Sequence, residues 1–265
     1  MADVVWAGFG AQKLFHTSGE FTTTVKSSQS VSAVDTQPRG ISFDGTNTPW
    51  CGSQASKMYL TSGMFTGTIK TSQFEPAPGI TSDFQDVGWD GTNTPVLEDD
   101  VFDPSGVMNK VFLTSGQFTA TVKTSQVLSS GGGALGVSFD GTNTLITMIN
   151  IGGLSTDDKL MLFSGQFTAT VKDSLNVTGV NGGTHGIGWN DTDTLWCGTF
   201  VAGKLYRNSG QFTSTIRDSV FTPVSETSPT AIDTVDVVNR LSGGPGGGAG
   251  SIAAISLGHM QRRRG

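Results

Sequence analysis

The chain has 265 residues and a formal net charge of −6; only 14% of its residues are charged, while 37 are Gly, 16 Phe and 5 Trp. That length suits one large all-β unit or two small domains, and a charge-poor composition rich in Gly and aromatics favours turn-rich β structure over long helices. Setting aside Arg262, Arg263 and Arg264 leaves 13 basic residues (16 minus 3) against 22 acidic ones, a balance of −9 that repels phosphate backbones and excludes nucleic acid as a partner.

The first nine residues lack a charged segment followed by an apolar one, so no secretory leader is expected. No apolar run approaches the ~20 residues that span a bilayer, so membrane insertion is not expected either. Two signatures then recur along the chain. Ser-Gly-x-Phe-Thr-x-Thr begins at Ser18, Ser62, Ser115, Ser164 and Ser209, with spacings of 44, 53, 49 and 45 residues. An Asp-Gly-Thr-Asn-Thr stretch appears at Asp44–Thr48, Asp90–Thr94 and Asp140–Thr144, and in weaker form at Asn190–Thr194. Self-similarity at this period marks a repeat architecture.

Within one unit the apolar alternation predicts four short strands. Gly40–Phe43 is the first, and Asp44-Gly45 is a hairpin turn signal. Thr48–Gly52 is the second and Lys57–Thr61 the third; Ser62-Gly63 turns the chain into a fourth over Phe65–Lys70, with Phe65 and Ile69 on one face. Four antiparallel strands per repeat make the blade of a β-propeller, whose outermost strand is an exposed edge that Thr and Lys keep from pairing.

Counting predicts how the ring closes. From each turn Ser to the next first-strand apolar residue the step is 23 (Ile41), 25 (Val87), 22 (Val137) and 23 (Ile187), and a step of 23 from Ser209 lands on Ile232. The chain itself begins at a second strand, Val4-Val5-Trp6 matching Thr48-Pro49-Trp50, so the first blade lacks an innermost strand that Thr230–Val235 can supply. The expected fold class is therefore all-β, a five-bladed propeller over residues 1–240 with four antiparallel strands per blade, followed by a Gly-rich linker and a C-terminal docking arm over 241–265. Cys51 and Cys197 fall on equivalent strands of non-adjacent repeats, too far apart for a disulfide, which needs Cα atoms within about 7 Å. They are read as buried free thiols.

The order Gly-Ile-x-x-Asp-Gly-x-Asn, an apolar strand, Lys-Leu/Met-Tyr/Phe and then Ser-Gly-x-Phe resembles the repeat of NHL- and kelch-type propellers across residues 3–235. Its nearly uniform, Thr-rich repeats are also similar to propeller repeats in structural proteins of tailed bacteriophages. The first resemblance implies a fold and no chemistry.

In such a ring the near-invariant turns occupy one face and the variable loops the other, and recognition is expected on the variable face. Its candidate partner-binding residues are Phe74 and Phe84 in the Pro-rich blade-to-blade loop; Glu98, Asp99, Asp100, Phe102 and Asp103 in an acidic loop over 97–109; and His185 in the Gly-rich loop over 181–185. The four carboxylates could hold Ca²⁺, but their spacing matches no ligand loop, so they are read as solvated; the Asp-Gly-Thr-Asn stretches are read as turn chemistry. His16, His185 and His259 show no ligand spacing. The Asp after each first strand opens a turn on the face away from the variable loops, unlike paired glycosidase carboxylates at a channel mouth. No catalytic residue, metal or cofactor is assigned.

In the arm, Ile252, Ile255 and Leu257 form a short apolar stretch before Arg262, Arg263 and Arg264, which together read as a docking peptide. These features predict a non-enzymatic virion structural or appendage protein of a tailed phage, located in the virion, whose partners are other virion proteins or copies of itself. A secreted, lectin-like propeller that binds a host-surface glycan is the alternative.

Overall fold

The computed structural model describes residues 3–19, 24–65, 67–74, 83–100, 108–116, 121–128, 133–149, 158–165, 168, 170–181, 183–198, 203–222 and 229–235. Among them, twenty strands form five four-stranded antiparallel sheets. Blade 1 holds β1 (Val4–Gly8), β2 (Lys13–Thr17) and β3 (Val25–Ser30). Blade 2 holds β4 (Pro38–Ile41), β5 (Asn47–Gly52), β6 (Lys57–Ser62) and β7 (Ile69–Phe74). Blade 3 holds β8 (Asp83–Val87), β9 (Thr94–Asp100), β10 (Met108–Thr114) and β11 (Val122–Leu128). Blade 4 holds β12 (Gly133–Phe139), β13 (Thr144–Ile149), β14 (Lys159–Phe163) and β15 (Val171–Asn176). Blade 5 holds β16 (Thr184–Trp189), β17 (Asp193–Gly198), β18 (Lys204–Ser209) and β19 (Ile216–Phe221). The last strand, β20 (Pro229–Thr234), pairs with β1 and completes blade 1. The chain is a five-bladed β-propeller.

Burial follows the radius of each blade. The second strands β5 and β17 are buried at all six positions, whereas the outer strands β11 and β15 are exposed at nearly every one. Both faces of a radial sheet meet a neighbouring blade, so the second strands read as near-continuous apolar runs. One core cluster joins Val5 and Leu14 of blade 1 to Ile41 and Trp50 of blade 2; another joins Leu145 and Leu160 of blade 4 to Ile187 and Trp196 of blade 5. Trp6 stacks on Phe15 at 4.1 Å, Trp50 on Tyr59 at 4.2 Å and Trp196 on Tyr206 at 4.1 Å, each a directly opposed pair of the second and third strands. Blades 3 and 4 place Val96 opposite Phe112 and Ile146 opposite Met161 at the same register.

The inner strands form a closed circuit, β20 to β4, β8, β12, β16 and back to β20. They approach backbone to backbone. A Cβ on Gly186 would lie 2.3 Å from the Cα of Ala231, and one on Gly136 would lie 2.3 Å from the carbonyl oxygen of His185. Only glycine permits that approach, which accounts for the Gly that opens the first strand of the repeat.

Closure follows the predicted count, with Ile232 opposite Trp6, Asp233 opposite Val5, and the N–H of Val235 donating to the Asp3 carbonyl at 2.8 Å. The fourth strand of the unit lies four residues further on than its apolar alternation predicts, at Ile69–Phe74 rather than Phe65–Lys70. Ser-Gly-x-Phe is a wide turn instead of a hairpin tip: Gly63, Phe65 and Gly67 all have positive φ (59°, 62° and 79°), and the Ser62 N–H donates to the Thr68 carbonyl at 2.9 Å. Phe65 packs back onto the core from this turn, which imitates a strand residue in the sequence. The division between ring and arm at residue 240 falls outside the described residues.

Candidate functional site

At the turn end, blades 2 to 5 carry related clamps. Asp44 Oδ1 accepts the N–H of Thr46 at 2.7 Å and of Asn47 at 2.6 Å; Asp90, Asp140 and Asn190 repeat this pair with their own neighbours. Asn47, Asn93 and Asn143 donate an amide hydrogen to those aspartates at 3.3, 3.2 and 3.0 Å. Their amide oxygens accept from Lys70, Lys123 and Lys172 of the outer strands at 3.2, 3.2 and 3.3 Å. Thr48, Thr94, Thr144 and Thr194 donate to the carbonyls of Gly63, Gly116, Gly165 and Gly210 at 2.9 to 3.0 Å. The Asp-Gly-Thr-Asn-Thr motif is thus turn chemistry that ties both hairpins of a blade together. The outer-strand lysines, expected to ward off edge pairing, stay exposed while their ammonium groups reach this clamp.

The axis is built differently. Asp86 occupies the inner-strand position held elsewhere by Gly40, Gly136, Gly186 and Ala231, and is 2% exposed. Its carboxylate accepts the N–H of its own neighbour Val87 at 2.8 Å and of Val137 on blade 4 at 2.9 Å, and also takes the N–H of Ile41 on blade 2. One side chain thereby braces three blades through the space that glycines leave. Burial pushes its acidity well toward the protonated form and the nearby Asp233 charge adds to this, while the three N–H donors oppose it. Asp233 makes the matching bridge from blade 1, accepting from the Ser42 hydroxyl of blade 2 at 2.6 Å.

The remaining reactive groups near the axis are also engaged. Cys51 Sγ accepts the Gly40 N–H at 3.2 Å and Cys197 Sγ accepts the Gly186 N–H at 3.1 Å. Both thiols are buried and unbridged, as expected from their positions, and burial raises both well above an ordinary thiol, which removes the thiolate that nucleophilic chemistry needs. His185 is half-buried on β16; burial, helped by the Arg39 charge, lowers its imidazole to about 4 and keeps it neutral. Arg39 lies over the Phe9 ring at 5.2 Å and donates to the Ser53 hydroxyl at 3.3 Å. Tyr59 is pushed up to about 12 by burial and by the Asp35 charge.

The structure redistributes the partner-binding residues read from the sequence. Phe84 is not on a loop: a bulge in β8 between Phe84 and Asp86 turns its ring fully into a core cluster with Met58, Val96 and Phe112, where it can meet no partner. Glu98 is 2% exposed in β9, between Phe84 and Lys110 of the flanking strands. The acidic loop is correspondingly shorter than 97–109, since β9 continues through Asp99 and Asp100, which pair with Asn109 and Met108. Phe74 ends β7 opposite Lys57, and His185 belongs to a strand rather than a loop. Phe102, Asp103, Ile252, Ile255, Leu257, Arg262, Arg263 and Arg264 lie outside the described residues. Sequence reasoning missed Asp86 and Asp233, although Asp86-Val87 standing in register with Gly40-Ile41 was a visible departure from the repeat.

No protein-family model matches the sequence, and no curated protein matches it either. Solved structures similar to this chain include a protein of unknown function from Bacteroides caccae, 11% identical, with a TM-score of 0.48 over 83% of this chain and 73% of that one. A glutaminyl cyclase from Myxococcus xanthus is 10% identical, with a TM-score of 0.47 over 78% of this chain and 74% of its own. A functionally unknown protein from Desulfotomaculum acetoxidans is 7% identical, with a TM-score of 0.46 over 86% and 84%. Likeness at this level carries no chemistry from one protein to another.

Proposed function

We propose that this propeller is a non-catalytic interaction ring, a virion structural or appendage protein of a tailed phage, with residues 241–265 as the arm that anchors it to other virion proteins or to copies of itself. The observation that carries this reading is the occupation of the chemistry-bearing side chains: the repeated Asp, Asn and Lys residues hold the turns, and Asp86, Asp233, Cys51 and Cys197 brace the inner strands. The connections that differ in sequence between blades join strand ends away from these turns, and loops carried on a rigid scaffold are where recognition is expected. The nearly uniform Thr-rich repeats favour the phage reading over other binding propellers. Deleting residues 242–265 is expected to leave circular dichroism and thermal midpoint unchanged while abolishing incorporation into particles; truncated protein that still assembles would sink the anchoring role.

A second reading, glycan binding at the variable end, draws on Phe221, which closes β19 with 58% of its surface exposed and the Lys204 ammonium 4.2 Å from its ring centre. An exposed aromatic face beside a polar group suits a sugar ring. Loss of glycan-array binding on Phe221→Ala would support it, and an array without hits for the intact chain would discard it.

A further inference from the structure

The blades are not chemically equal at the turn end. Blades 2, 3 and 4 use a neutral amide, Asn47, Asn93 and Asn143, whereas blades 1 and 5 use a carboxylate at the same position, Asp3 and Asp193. The third strand changes in step. Opposite the second-strand residue two places after the amide it carries Leu60, Leu113 and Leu162, and in the two carboxylate blades the same position holds His16 and Arg207. Asp3 accepts from His16 at 2.9 Å, from Lys26 at 2.6 Å and from the Gly19 N–H at 2.7 Å. Asp193 accepts from Arg217 at 2.6 Å and lies 3.9 Å from Arg207, which in turn pairs with Asp218.

The two charged blades are neighbours in space, and β20, the innermost strand of blade 1, faces blade 5. It pairs with β1 of blade 1 and packs on β16 of blade 5, where a Cβ on Gly188 would come 3.0 Å from the Ile232 carbonyl oxygen. The backbone carbonyl of Asp3 also accepts the N–H of Val235, so one residue carries the charged clamp and the end of the closing strand together.

We propose that the ring has one built-in opening point, the closing strand β20, and that charge gates it: blade 1, to which β20 belongs, and blade 5, on which it packs, are latched by ion pairs, while the other three carry a neutral amide at the same position. The latch responds to ionic strength because screening weakens charge–charge contacts far more than amide hydrogen bonds. Acid acts in the same place. The side chains that face Asp3 are His16 from β2 and Lys26 from β3, while Asp233 of β20 turns away to Ser42. Burial alone would raise the Asp3 carboxyl, but the hydrogen bonds from Lys26, Gly19 and His16 and the Lys26 charge outweigh it and hold the group at about 2. A depressed carboxyl stabilises the fold above its unfolded value of 3.8 and loses that contribution as the pH falls through about 2. Opening at this seam releases β20 together with the chain that follows it.

Native-state hydrogen exchange of the full chain tests this at about 0.1 M and about 1 M salt, where the screening length drops from ~10 to ~3 Å. Protection of the β1 and β20 amides is expected to fall roughly two- to ten-fold, with that of β5, β9 and β13 changing less than about two-fold. A variant carrying Asp3→Asn, His16→Leu, Asp193→Asn and Arg207→Leu rebuilds the seam in the style of the amide blades and should lose the difference between seam and remainder. Salt-induced loss spread evenly over the five blades would overturn the proposal, as would a folded variant that keeps a seam-specific response. Should the variant not fold, the comparison of blades in the unaltered chain decides alone.

Discussion

The turn end of the ring and its axis solve different problems with the same kinds of residue. At the turn end, blades 2, 3 and 4 repeat Asp, Asn, Thr and Lys because each must join its own two hairpins. At the axis, one aspartate departs from a row of Gly and Ala and serves three blades at once. Repetition therefore marks what a blade needs to fold, and departure from repetition marks what the ring needs to close. Both classes of residue are polar and well ordered by hydrogen bonds; only their count per ring separates them.

The largest way to break this contrast is to fill the axis. Gly186→Ala places a methyl 2.3 Å from the Ala231 Cα and is expected to cost about 3 kcal/mol or more, or to prevent closure, because backbone cannot give way as a side chain can. Gly179→Ala meets nothing within 4 Å and should stay within about 0.5 kcal/mol of the parent. Urea unfolding of the two variants checks the pair; equal losses would mean that the inner strands are not in backbone contact. Next comes Asp86→Asn, which keeps one acceptor oxygen and aims an N–H at backbone N–H groups. A loss of about 1–3 kcal/mol is expected if the carboxylate is the braced form. An unchanged midpoint would mean that a protonated Asp86 already does without those bonds.

Much of this was legible from the residues. The blade count, the closing strand and the two buried thiols follow from spacing alone, because a propeller repeats its chemistry at fixed intervals and Ile232 falls where that interval requires an inner strand. The fourth strand was displaced because Phe65 has the apolar character of a strand residue yet sits in a left-handed turn, a conformation that alternation cannot signal. Phe84 and Glu98 were read as loop residues because blade 3 replaces the usual Gly and Trp landmarks, leaving its strand ends without punctuation. Asp86 was hidden for a different reason. One sequence shows a departure from its own repeat, but only the packed ring shows that three N–H groups converge on it.

Smaller effects sharpen the contrast further. The His185 imidazole is held at about 4, below its unfolded value of 6.5, first by burial and then by the Arg39 charge. Between those two values the unfolded chain takes up a proton that the folded one refuses, so stability falls as the pH drops. Unfolding midpoints measured at about pH 7 and about pH 5 should therefore differ, and His185→Gln should flatten the slope over that interval. An unaltered slope in the variant would place the pH dependence elsewhere.

The smallest expected change repairs a repeated interaction that blade 1 lacks. The Trp50 indole donates to the Thr61 hydroxyl at 2.9 Å and the Trp196 indole to the Asn208 amide oxygen at 2.8 Å, each acceptor two residues beyond the stacked ring on the third strand. In blade 1 that position is Thr17, whose hydroxyl turns to the Val4 carbonyl at 3.4 Å, and among the described residues the fully buried Trp6 indole N–H meets no acceptor. A buried donor left in this state costs about 1–3 kcal/mol, and the contact Thr17 would surrender is long and weak. Thr17→Asn carries the longer acceptor that blade 5 already uses and should raise stability by about 1 kcal/mol. Thermal melts of the variant, with indole fluorescence as a second reading of the Trp6 environment, check it. A destabilised Thr17→Asn would mean that the Trp6–Phe15 stack cannot admit the larger side chain, and that the closing blade is packed more tightly than its counterparts.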